Sequence, residues 1–240
     1  MTTPTPYYQS ERVTLYCGDC LSILPHLSGV DAVVSDVPYG MSYVGSPGTS
    51  NGSSIHCSPK TLRTRETVVG DTGEFDPTPW LRWPVAFSGA QHYYHTLPAG
   101  GSLHSWDKRG DYKRTTFADA DFIWCSRKMN AQTFRLVWRG LCRHAENTDR
   151  IEHPTQKPVS LMEWIISLLS LSNATILDPY MGSGSTGVAA INTGHKFIGC
   201  ELVEGYCAIA KRRIQEAEQA FALFEPAKPE QQSEMFEVAK

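Results

Sequence analysis

A carboxylate, a carbonyl group and an aromatic ring come together in Asp36-Val-Pro-Tyr-Gly40, which follows the apolar run Ala32-Val-Val-Ser35. If that run is a buried strand, Asp36 stands at its carboxyl end, where open α/β sheets bind their ligands. Such a turn could present hydrogen-bond acceptors and the Tyr39 ring to a planar group that carries an amine. An exocyclic amine is a weak nucleophile, and accepting its N–H bonds would return electron density to the nitrogen. A plain turn without any chemistry uses the same residue types, so both interpretations stay open.

A second group of residues has the pattern of a nucleotide-binding turn. Gly182, Gly184 and Gly187 lie between a predicted strand and a predicted helix, and Glu201 ends the next strand roughly 20 residues later. Glycines let the backbone approach a ligand, and the helix start offers free N–H groups. A ligand-free turn, a dinucleotide such as that of a nicotinamide dehydrogenase, or an adenosyl ligand would fit. Asp178, ahead of the glycines, would repel a pyrophosphate but could hold an ammonium group, which favours S-adenosylmethionine.

The elements that must position these residues alternate along the chain. Apolar runs predict strands at Arg12–Cys17, Ala32–Ser35, Gly101–Trp106, Asp121–Cys125, Thr133–Val137, Thr175–Leu177 and Lys196–Gly199. Helices are predicted at Val159–Leu171, Ser185–Thr193 and Glu204–Phe224. This order is typical of an α/β domain with a largely parallel sheet. His92 and His95, one helical turn apart, are expected on a packed helix face.

The composition is that of a globular protein. Of the 240 residues, 41% are hydrophobic and 20% are charged, which excludes a disordered or fibrous chain. No apolar stretch reaches the roughly 18 residues of a membrane span, and the N-terminus lacks a signal-peptide pattern, so we expect a cytoplasmic protein without membrane contact. The seven scattered cysteines are expected to be free thiols. No metal site is expected, although Cys17 and Cys20 have zinc or redox spacing.

The formal net charge of -3 hides an uneven distribution. Residues 1–107 carry 5 basic and 9 acidic residues, residues 108–157 carry 11 and 6, and residues 158–240 carry 6 and 10. The basic middle segment is either a phosphate-facing surface or an ordinary solvated face. Its candidates for phosphate contacts are Lys108, Arg109, Lys113, Arg114, Arg127, Lys128, Arg135, Arg139 and Arg143.

Four motifs in order resemble those of the β-class DNA amino-methyltransferases, the adenine-N6 and cytosine-N4 family. Asp36-Val-Pro-Tyr-Gly40 is similar to the family's Asp-Pro-Pro-Tyr motif, and Asp178-Pro-Tyr-Met-Gly-Ser-Gly184 is similar to its cofactor loop. His153-Pro-Thr-Gln-Lys-Pro158 and Gly18-Asp-Cys-Leu21 resemble segments that the family carries at the same places. The resemblance covers about Val13 to Ala217. It implies a Rossmann-like methyltransferase fold with a mostly parallel central sheet, helices on both faces and a circularly permuted motif order.

The resemblance also implies residue roles. The catalytic turn would be Asp36, Val37, Pro38 and Tyr39, in which Asp36 and the Val37 carbonyl accept from the target amine while Tyr39 stacks on the flipped base. S-adenosyl-L-methionine would be bound by Asp19, Asp36, Thr155, Lys157, Asp178, Tyr180, Gly182, Ser183, Gly184 and Glu201.

The resemblance also implies which part of S-adenosylmethionine several of these residues contact. Asp178, Gly182 and Gly184 would surround the methionine part. Glu201 would lie at the ribose and Asp19 near the adenine. Thr155 and Lys157 would lie near the methionine carboxylate.

Residues 1–224 are expected to form a single methyltransferase domain and residues 225–240 a flexible tail. Residues 41–80 and 139–152 are candidate recognition loops for double-stranded DNA. Gln232-Ser-Glu-Met-Phe236 resembles the short peptides that dock on bacterial sliding clamps.

The expected function is site-specific DNA methylation at adenine N6, because cytosine-N4 enzymes more often begin the catalytic turn with Ser than with Asp. Cytosine-N4 methylation is the first alternative. Val37 stands where the family has its first proline, which motivates a second alternative, a weakly active or inactive protein of the same fold that binds DNA. Methylation of RNA or of a protein amide is a further enzyme alternative.

Overall fold

The computed structural model describes residues 4–41, 70–110, 118–139, 142–143 and 156–224. Its strands are β1 (Tyr8–Gln9), β2 (Val13–Cys17), β3 (Ala32–Asp36), β4 (Val85–Ser88), β5 (Ser102–Asp107), β6 (Ala120–Cys125), β7 (Thr133–Arg135), β8 (Trp138–Arg139), β9 (Cys142–Arg143), β10 (Thr175–Asp178) and β11 (Lys196–Glu201). Its helices are α1 (Cys20–Ile23), α2 (Val159–Leu168), α3 (Ser185–Asn192) and α4 (Glu204–Phe224), with 3-10 turns at Leu24–His26, Thr78–Trp80, Ala90–His92 and Tyr94–Thr96. Within these ranges, no helix has the length and hydropathy that crossing a bilayer requires.

Nine of the described strands form one sheet in the order β1-β2-β11-β10-β3-β4-β6-β5-β7, and β8 pairs with β9. The five strands from β2 to β4 in this order run parallel to one another, and β7 runs parallel to β5. The strands β1 and β6 pair antiparallel with their neighbours. The predicted α/β class with a mostly parallel sheet is therefore confirmed.

The central strands are apolar in sequence because both faces of the sheet are covered. Residues 32–35 of β3 and all four residues of β4 are buried. Successive side chains of β3 enter two different core clusters: Val34 packs in the cluster that contains Leu161 of α2, and Val33 packs in the cluster that contains Trp80. The sheet thus separates two hydrophobic cores.

Helices lie on both faces, as expected, but they differ in length. The helices α2, α3 and α4 contribute Leu161, Ala190 and Ile214 to the first core. The second core is closed by α1 and by 3-10 turns, through residues such as Ile23 and Trp80. In the described part of the chain, the long helices therefore share one face.

All seven predicted strands form, and their ends differ from the prediction by one or two residues. The helix α2 ends at Leu168, three residues earlier than predicted, where Ser170 adopts a left-handed φ of 51°. The strand β4 was not predicted from the sequence, because its four residues are all buried and lack the alternation that marks a half-buried strand. The predicted recognition loops 41–80 and 139–152 lie largely outside the described residues, and the tail 225–240 lies entirely outside them.

The loop between β10 and α3, the glycine loop, requires glycine at position 184. This residue has a left-handed φ of +81°, and a β-carbon there would lie 3.0 Å from the Cα of Ala210 in α4. The close approach lets α4 pack against the start of α3.

We expect Gly184→Ala to lower the free energy of unfolding by about 1–3 kcal/mol, because the new methyl group would meet the backbone of α4 at an unfavourable φ. Urea denaturation followed by circular dichroism measures the change. Gly205→Ala is the matched control, since a β-carbon there meets nothing within 4 Å. The control should stay within about 0.5 kcal/mol of the wild type or exceed it. A Gly184→Ala protein as stable as the control would contradict this account of the loop.

Candidate active site

The parallel strands end at one edge of the sheet, and a cavity of about 790 Å³ lies there. Asp36, Asp178 and Glu201 are the last residues of β3, β10 and β11, so strand pairing brings these three carboxylates to the same edge. Eleven of the thirteen predicted site residues line the cavity: Asp19, Asp36, Val37, Pro38, Tyr39, Lys157, Asp178, Tyr180, Gly182, Ser183 and Glu201. Gly184 lies just behind it at the start of α3. Thr155 lies outside the described residues.

The carboxylate of Asp36 accepts hydrogen bonds from three side chains. Its Oδ1 accepts from the hydroxyls of Tyr39, at 2.6 Å, and Ser88, at 2.5 Å. Its Oδ2 lies 2.5 Å from the Nζ of Lys157. Burial alone would raise the pKa of Asp36, but the ammonium of Lys157 and the three hydrogen bonds hold this pKa below its usual value. The carboxylate of Asp36 is therefore ionised and held in one orientation.

The turn after Asp36 is anchored at both ends. At the N-terminal side of the turn, Val37 is 3% exposed and packs in the second core. The N–H groups of Gly40 and Met41 donate to Asp71 at 2.7 and 3.3 Å. Gly40 has a φ of +74°, and a β-carbon there would lie 2.6 Å from the carbonyl oxygen of Gly73. Asp71, which the sequence did not reveal, thus closes the turn onto the segment that begins at residue 70.

The ring of Tyr39 packs between aromatic and glycine neighbours. It stacks on the imidazole of His92 with 4.8 Å between ring centroids and 23° between planes. A β-carbon at Gly89 would overlap the Tyr39 ring, so that position must be glycine.

The prediction that His92 and His95 lie on a packed helix face is wrong. Both histidines are exposed on two short 3-10 turns, because Gly89 with a φ of +77° and the buried Tyr93 set the chain direction there.

The carboxyl group of Asp178 is 1% exposed. Its Oδ1 accepts from the hydroxyl of Ser35 at 2.6 Å and from the N–H of Tyr180 at 3.0 Å. Burial raises the pKa of Asp178 to about 7, against the effect of these hydrogen bonds, and the nearby charge of Asp36 contributes to the rise. Ser35 therefore links β3, which leads into the Asp36–Tyr39 turn, to β10, which precedes the glycine loop.

Glu201 closes the glycine loop from the neighbouring strand. Its Oε2 accepts from the N–H of Gly182 at 3.0 Å, and its Oε1 accepts from the N–H of Val203 at 2.8 Å. Burial raises the pKa of Glu201, against the effect of these backbone hydrogen bonds. Asp19 is exposed and caps α1 by accepting from the N–H of Leu21 at 3.2 Å. The two carboxylates thus border the same part of the cavity.

Gln156 is a cavity residue that the sequence reasoning did not single out. Its side chain is 5% exposed, and its Oε1 has no hydrogen-bond partner among the described residues. A buried carbonyl oxygen without a donor is costly, so this atom is an acceptor available to an N–H group of a ligand. Its position beside Lys157 in the motif His153-Pro-Thr-Gln-Lys-Pro158 was the one signal in the sequence.

The basic candidates for phosphate contacts divide between two edges of the sheet. Lys108 pairs with Asp121 at 2.8 Å, Arg109 with Asp119 at 3.2 Å, and Arg135 with Asp107 at 3.9 Å, all at the edge that holds the cavity. Arg127 and Lys128 follow β6, which runs antiparallel to β4, and so lie at the opposite edge. The side chains of Lys113, Arg114, Arg139 and Arg143 lie outside the described part.

The described cysteines, Cys17, Cys20, Cys125, Cys200 and Cys207, are free thiols, as predicted for them. Within the same part of the chain, no group of three or more His, Cys, Asp or Glu side chains is placed to hold a metal ion.

Comparisons with known proteins agree with this arrangement. The N6_N4_Mtase family model, described as DNA methylase, matches residues 104–212. The Type II methyltransferase M2.LlaDCHI of Lactococcus lactis subsp. cremoris is 34% identical over 252 residues, and the match covers 87% of this chain and 91% of that protein.

Solved structures with low sequence identity support the fold. The crystal structure of the M1.HpyAVI–SAM complex matches with a TM-score of 0.54 at 21% identity, over 84% of this chain and 98% of that chain. The PvuII DNA methyltransferase, which is cytosine-N4-specific, matches with a TM-score of 0.53 at 14% identity, over 92% and 96% of the two chains. The predicted Rossmann-like methyltransferase fold is confirmed.

The raised pKa of Asp178 predicts a specific loss of stability with pH. The folded protein keeps this proton up to a pH of about 7, whereas the unfolded chain releases it near about 3.9. The free energy of unfolding should therefore fall as the pH rises through this window. We expect the stability of Asp178→Asn, relative to the wild type, to increase from about pH 4 to about pH 7 and then level off.

Urea denaturation at a series of pH values gives this difference directly, because the contributions of titrating groups that do not interact with Asp178 cancel between the two proteins. A difference that stays constant across the window, or that shrinks as the pH rises, would show that Asp178 is not protonated in the folded state.

Proposed function

Because the chain belongs to the DNA methylase family, we propose that it transfers a methyl group from S-adenosyl-L-methionine to the exocyclic amine of a flipped base in double-stranded DNA, with adenine N6 preferred. The observation that carries the proposal is the shared cavity. It places the Asp36–Tyr39 turn beside the glycine loop that follows Asp178, and the two are joined by the hydrogen bond from Ser35 to Asp178.

The residues around the glycine loop fit an adenosyl ligand with an amino-acid end. Asp178 is buried beside the loop and would gain a counter-charge from an ammonium group, which removes the cost of ionising it there. Gly182 lines the cavity and leaves room for a ligand to approach the backbone closely, and Gly184 behind it lets α4 pack against the start of α3. Glu201 and Asp19 offer carboxylate oxygens to hydroxyl and amine donors farther along the cavity. The bound cofactor would supply an electrophilic methyl group.

The catalytic turn would prepare the nucleophile. Asp36 and the Val37 carbonyl would accept from the two N–H bonds of the target amine and so raise the electron density on its nitrogen. Extruding the base from the duplex costs a few kcal/mol, and stacking on Tyr39 would offset part of that cost. The reaction would be a direct displacement that needs no cysteine nucleophile. Positioning and electrostatics would supply most of the rate enhancement.

The choice of base rests on the sequence of the turn, which begins with Asp36 as in adenine-N6 relatives. Cytosine N4 presents an amine of the same geometry, so cytosine-N4 methylation remains the alternative chemistry. A protein that binds cofactor and DNA without efficient transfer is the alternative from another class, and Val37 is the residue that suggests it.

The proposed DNA contacts extend beyond the base pocket. Residues 41–80 and 139–152 would read the target sequence as part of a single domain over residues 1–224. In the segment 225–240, Gln232–Phe236 would contact a sliding clamp. Action on DNA would place the protein in the cytoplasm.

Replacement of the catalytic carboxylate tests the core of the proposal. We expect Asp36→Ala to reduce methyl transfer to DNA by about 10²–10³-fold or more, because the target amine loses its charged acceptor. The affinity for S-adenosylmethionine should fall far less than the rate of transfer, because the other residues of the expected cofactor set remain. Glu216→Gln, which removes an exposed carboxylate on α4, is the control and should keep full activity.

Mass analysis of nucleosides from methylated DNA provides the measurement and identifies the base as well. N6-methyladenine is the expected product, and N4-methylcytosine would select the alternative. An Asp36→Ala protein that methylates DNA at the normal rate would refute the assignment of this residue. A wild type that binds cofactor but labels no DNA would refute the enzymatic proposal.

Deletion of residues 230–240 tests the tail. We expect the truncated protein to lose binding to a purified bacterial sliding clamp in surface plasmon resonance, while its methyl transfer to short DNA duplexes is unchanged. Double substitution of Met235 and Phe236 by alanine should have the same effect, since this pair would fill the apolar pocket. Clamp binding that survives the deletion would remove this part of the proposal.

A further inference from the structure

The ammonium of Lys157 contacts the catalytic turn directly. Its Nζ lies 2.5 Å from Oδ2 of Asp36 and 3.1 Å from the hydroxyl oxygen of Tyr39. The Lys157 side chain is 13% exposed and that of Asp36 is 22% exposed. The resemblance placed Lys157 near the methionine carboxylate instead. An ion pair with so little exposure to water couples two groups much more strongly than a surface pair does.

The backbone around Lys157 fixes where its side chain starts. The carbonyl oxygen of Lys157 accepts from the hydroxyl of Ser185 at 2.8 Å, at the first turn of α3. The next residue, Pro158, is the N-cap of α2, so the chain direction is set there as well. Lys157 is therefore held between the glycine loop and α2, and its side chain reaches across to the end of β3.

The hydrogen bonds of Asp36 leave room for a substrate. A carboxylate oxygen can accept two hydrogen bonds. Oδ1 already accepts from Tyr39 and Ser88, whereas Oδ2 accepts from Lys157 alone among the described residues. One acceptor position on Oδ2 thus remains for an incoming amine, and Lys157 orients that position without filling it.

We propose that Lys157 is a positioning residue for methyl transfer, which keeps the carboxylate of Asp36 ionised and turns the free acceptor position of Oδ2 toward the target amine. This inference rests on the proposed function and deepens it, because it gives Lys157 a role at the base and not at the cofactor.

The charges around Asp36 support this role. Burial raises the pKa values of Tyr39 and Tyr93 well above the usual value, so both phenols are neutral. The packing of one ring face against Tyr39 partly removes His92 from water and lowers its pKa, which makes the imidazole a weak source of positive charge. The remaining neighbours are the carboxyl group of Asp178 and the pair formed by Asp121 with Lys108. Lys157 is therefore the main group that offsets the effect of burial on the pKa of Asp36, and the hydrogen bonds from Ser88 and Tyr39 contribute less.

The test compares Lys157→Gln with Lys157→Arg and with Lys196→Gln, which removes an exposed lysine at the start of β11. In Lys157→Gln we expect the acid limb of the kcat/KM profile to move up by about 1–3 pH units, since the buried carboxylate loses its counter-charge. Lys157→Arg keeps a cation and should keep the limb near that of the wild type. Lys196→Gln should match the wild type in every readout. The Kd of S-adenosylmethionine, from calorimetry, should change by less than about threefold in Lys157→Gln.

A second readout needs no turnover. Carbon-13 NMR follows the titration of the Asp36 carboxyl group, whose signal is assigned by its loss in Asp36→Ala. In the ligand-free Lys157→Gln protein this titration should move to higher pH by the same amount. Thermal unfolding checks that the variant is folded. If Asp36 titrates in Lys157→Gln as it does in the wild type, the proposal is overturned. If, in addition, the Kd of the cofactor is weakened by about tenfold or more, Lys157 is a cofactor ligand. Absence of methyl transfer in the wild type would count against the proposed function, while the NMR titration would still decide the role of Lys157.

Discussion

Two carboxyl groups with little access to water stand at the ends of neighbouring strands, and the rest of the site is arranged around them. Asp36 ends β3 and Asp178 ends β10, and Ser35 donates a hydrogen bond across the gap. Two like charges this close cannot both ionise cheaply in a poorly hydrated site. Lys157 gives Asp36 a cation that outweighs the effect of its burial, whereas at Asp178 the effect of burial outweighs that of the neutral hydrogen-bond donors, so their pKa values move in opposite directions. This separation allows one edge of a sheet to hold two carboxyl groups in different protonation states.

Several features of the fold produce this separation of the two pKa values. Ser88 can reach Asp36 because β4 pairs with β3 in a parallel register that sets these two residues opposite each other. Lys157 can reach it because the lysine directly precedes Pro158, the N-cap of α2, and its Nζ lies 2.5 Å from Oδ2 of Asp36. The Tyr39 ring fits because Gly89 has no side chain. Each contact is contributed by a different element, so the ionised state of one carboxylate depends on the packing of the whole sheet edge.

The sequence predicted the parts of the site that follow a recognisable strand. Asp36 and Asp178 both come directly after apolar runs, and the position of the strand end is enough to place them at the carboxyl edge. Ser88 could not be predicted, because β4 is short and buried on both sides and lacks any periodic signal. The contact between Lys157 and Asp36 joins residues 121 positions apart, which no local pattern can show. His92 was assigned to a helix face because its spacing suits a helix, whereas a left-handed glycine redirects the chain.

If the proposed function is correct, the same charges limit how the protein could bind DNA. The cavity is lined by Asp36, Asp178 and Glu201, whose carboxyl groups favour amines and an ammonium group over phosphates as ligands. The described basic residues at this edge, Lys108, Arg109 and Arg135, already pair with carboxylates. A phosphate that binds there would have to replace an existing partner, so the net gain from each contact would be smaller than for a free cation. Binding would therefore depend on where the phosphates are placed more than on an excess of positive charge. A chain with a net charge of -3 is compatible with such a mode of binding.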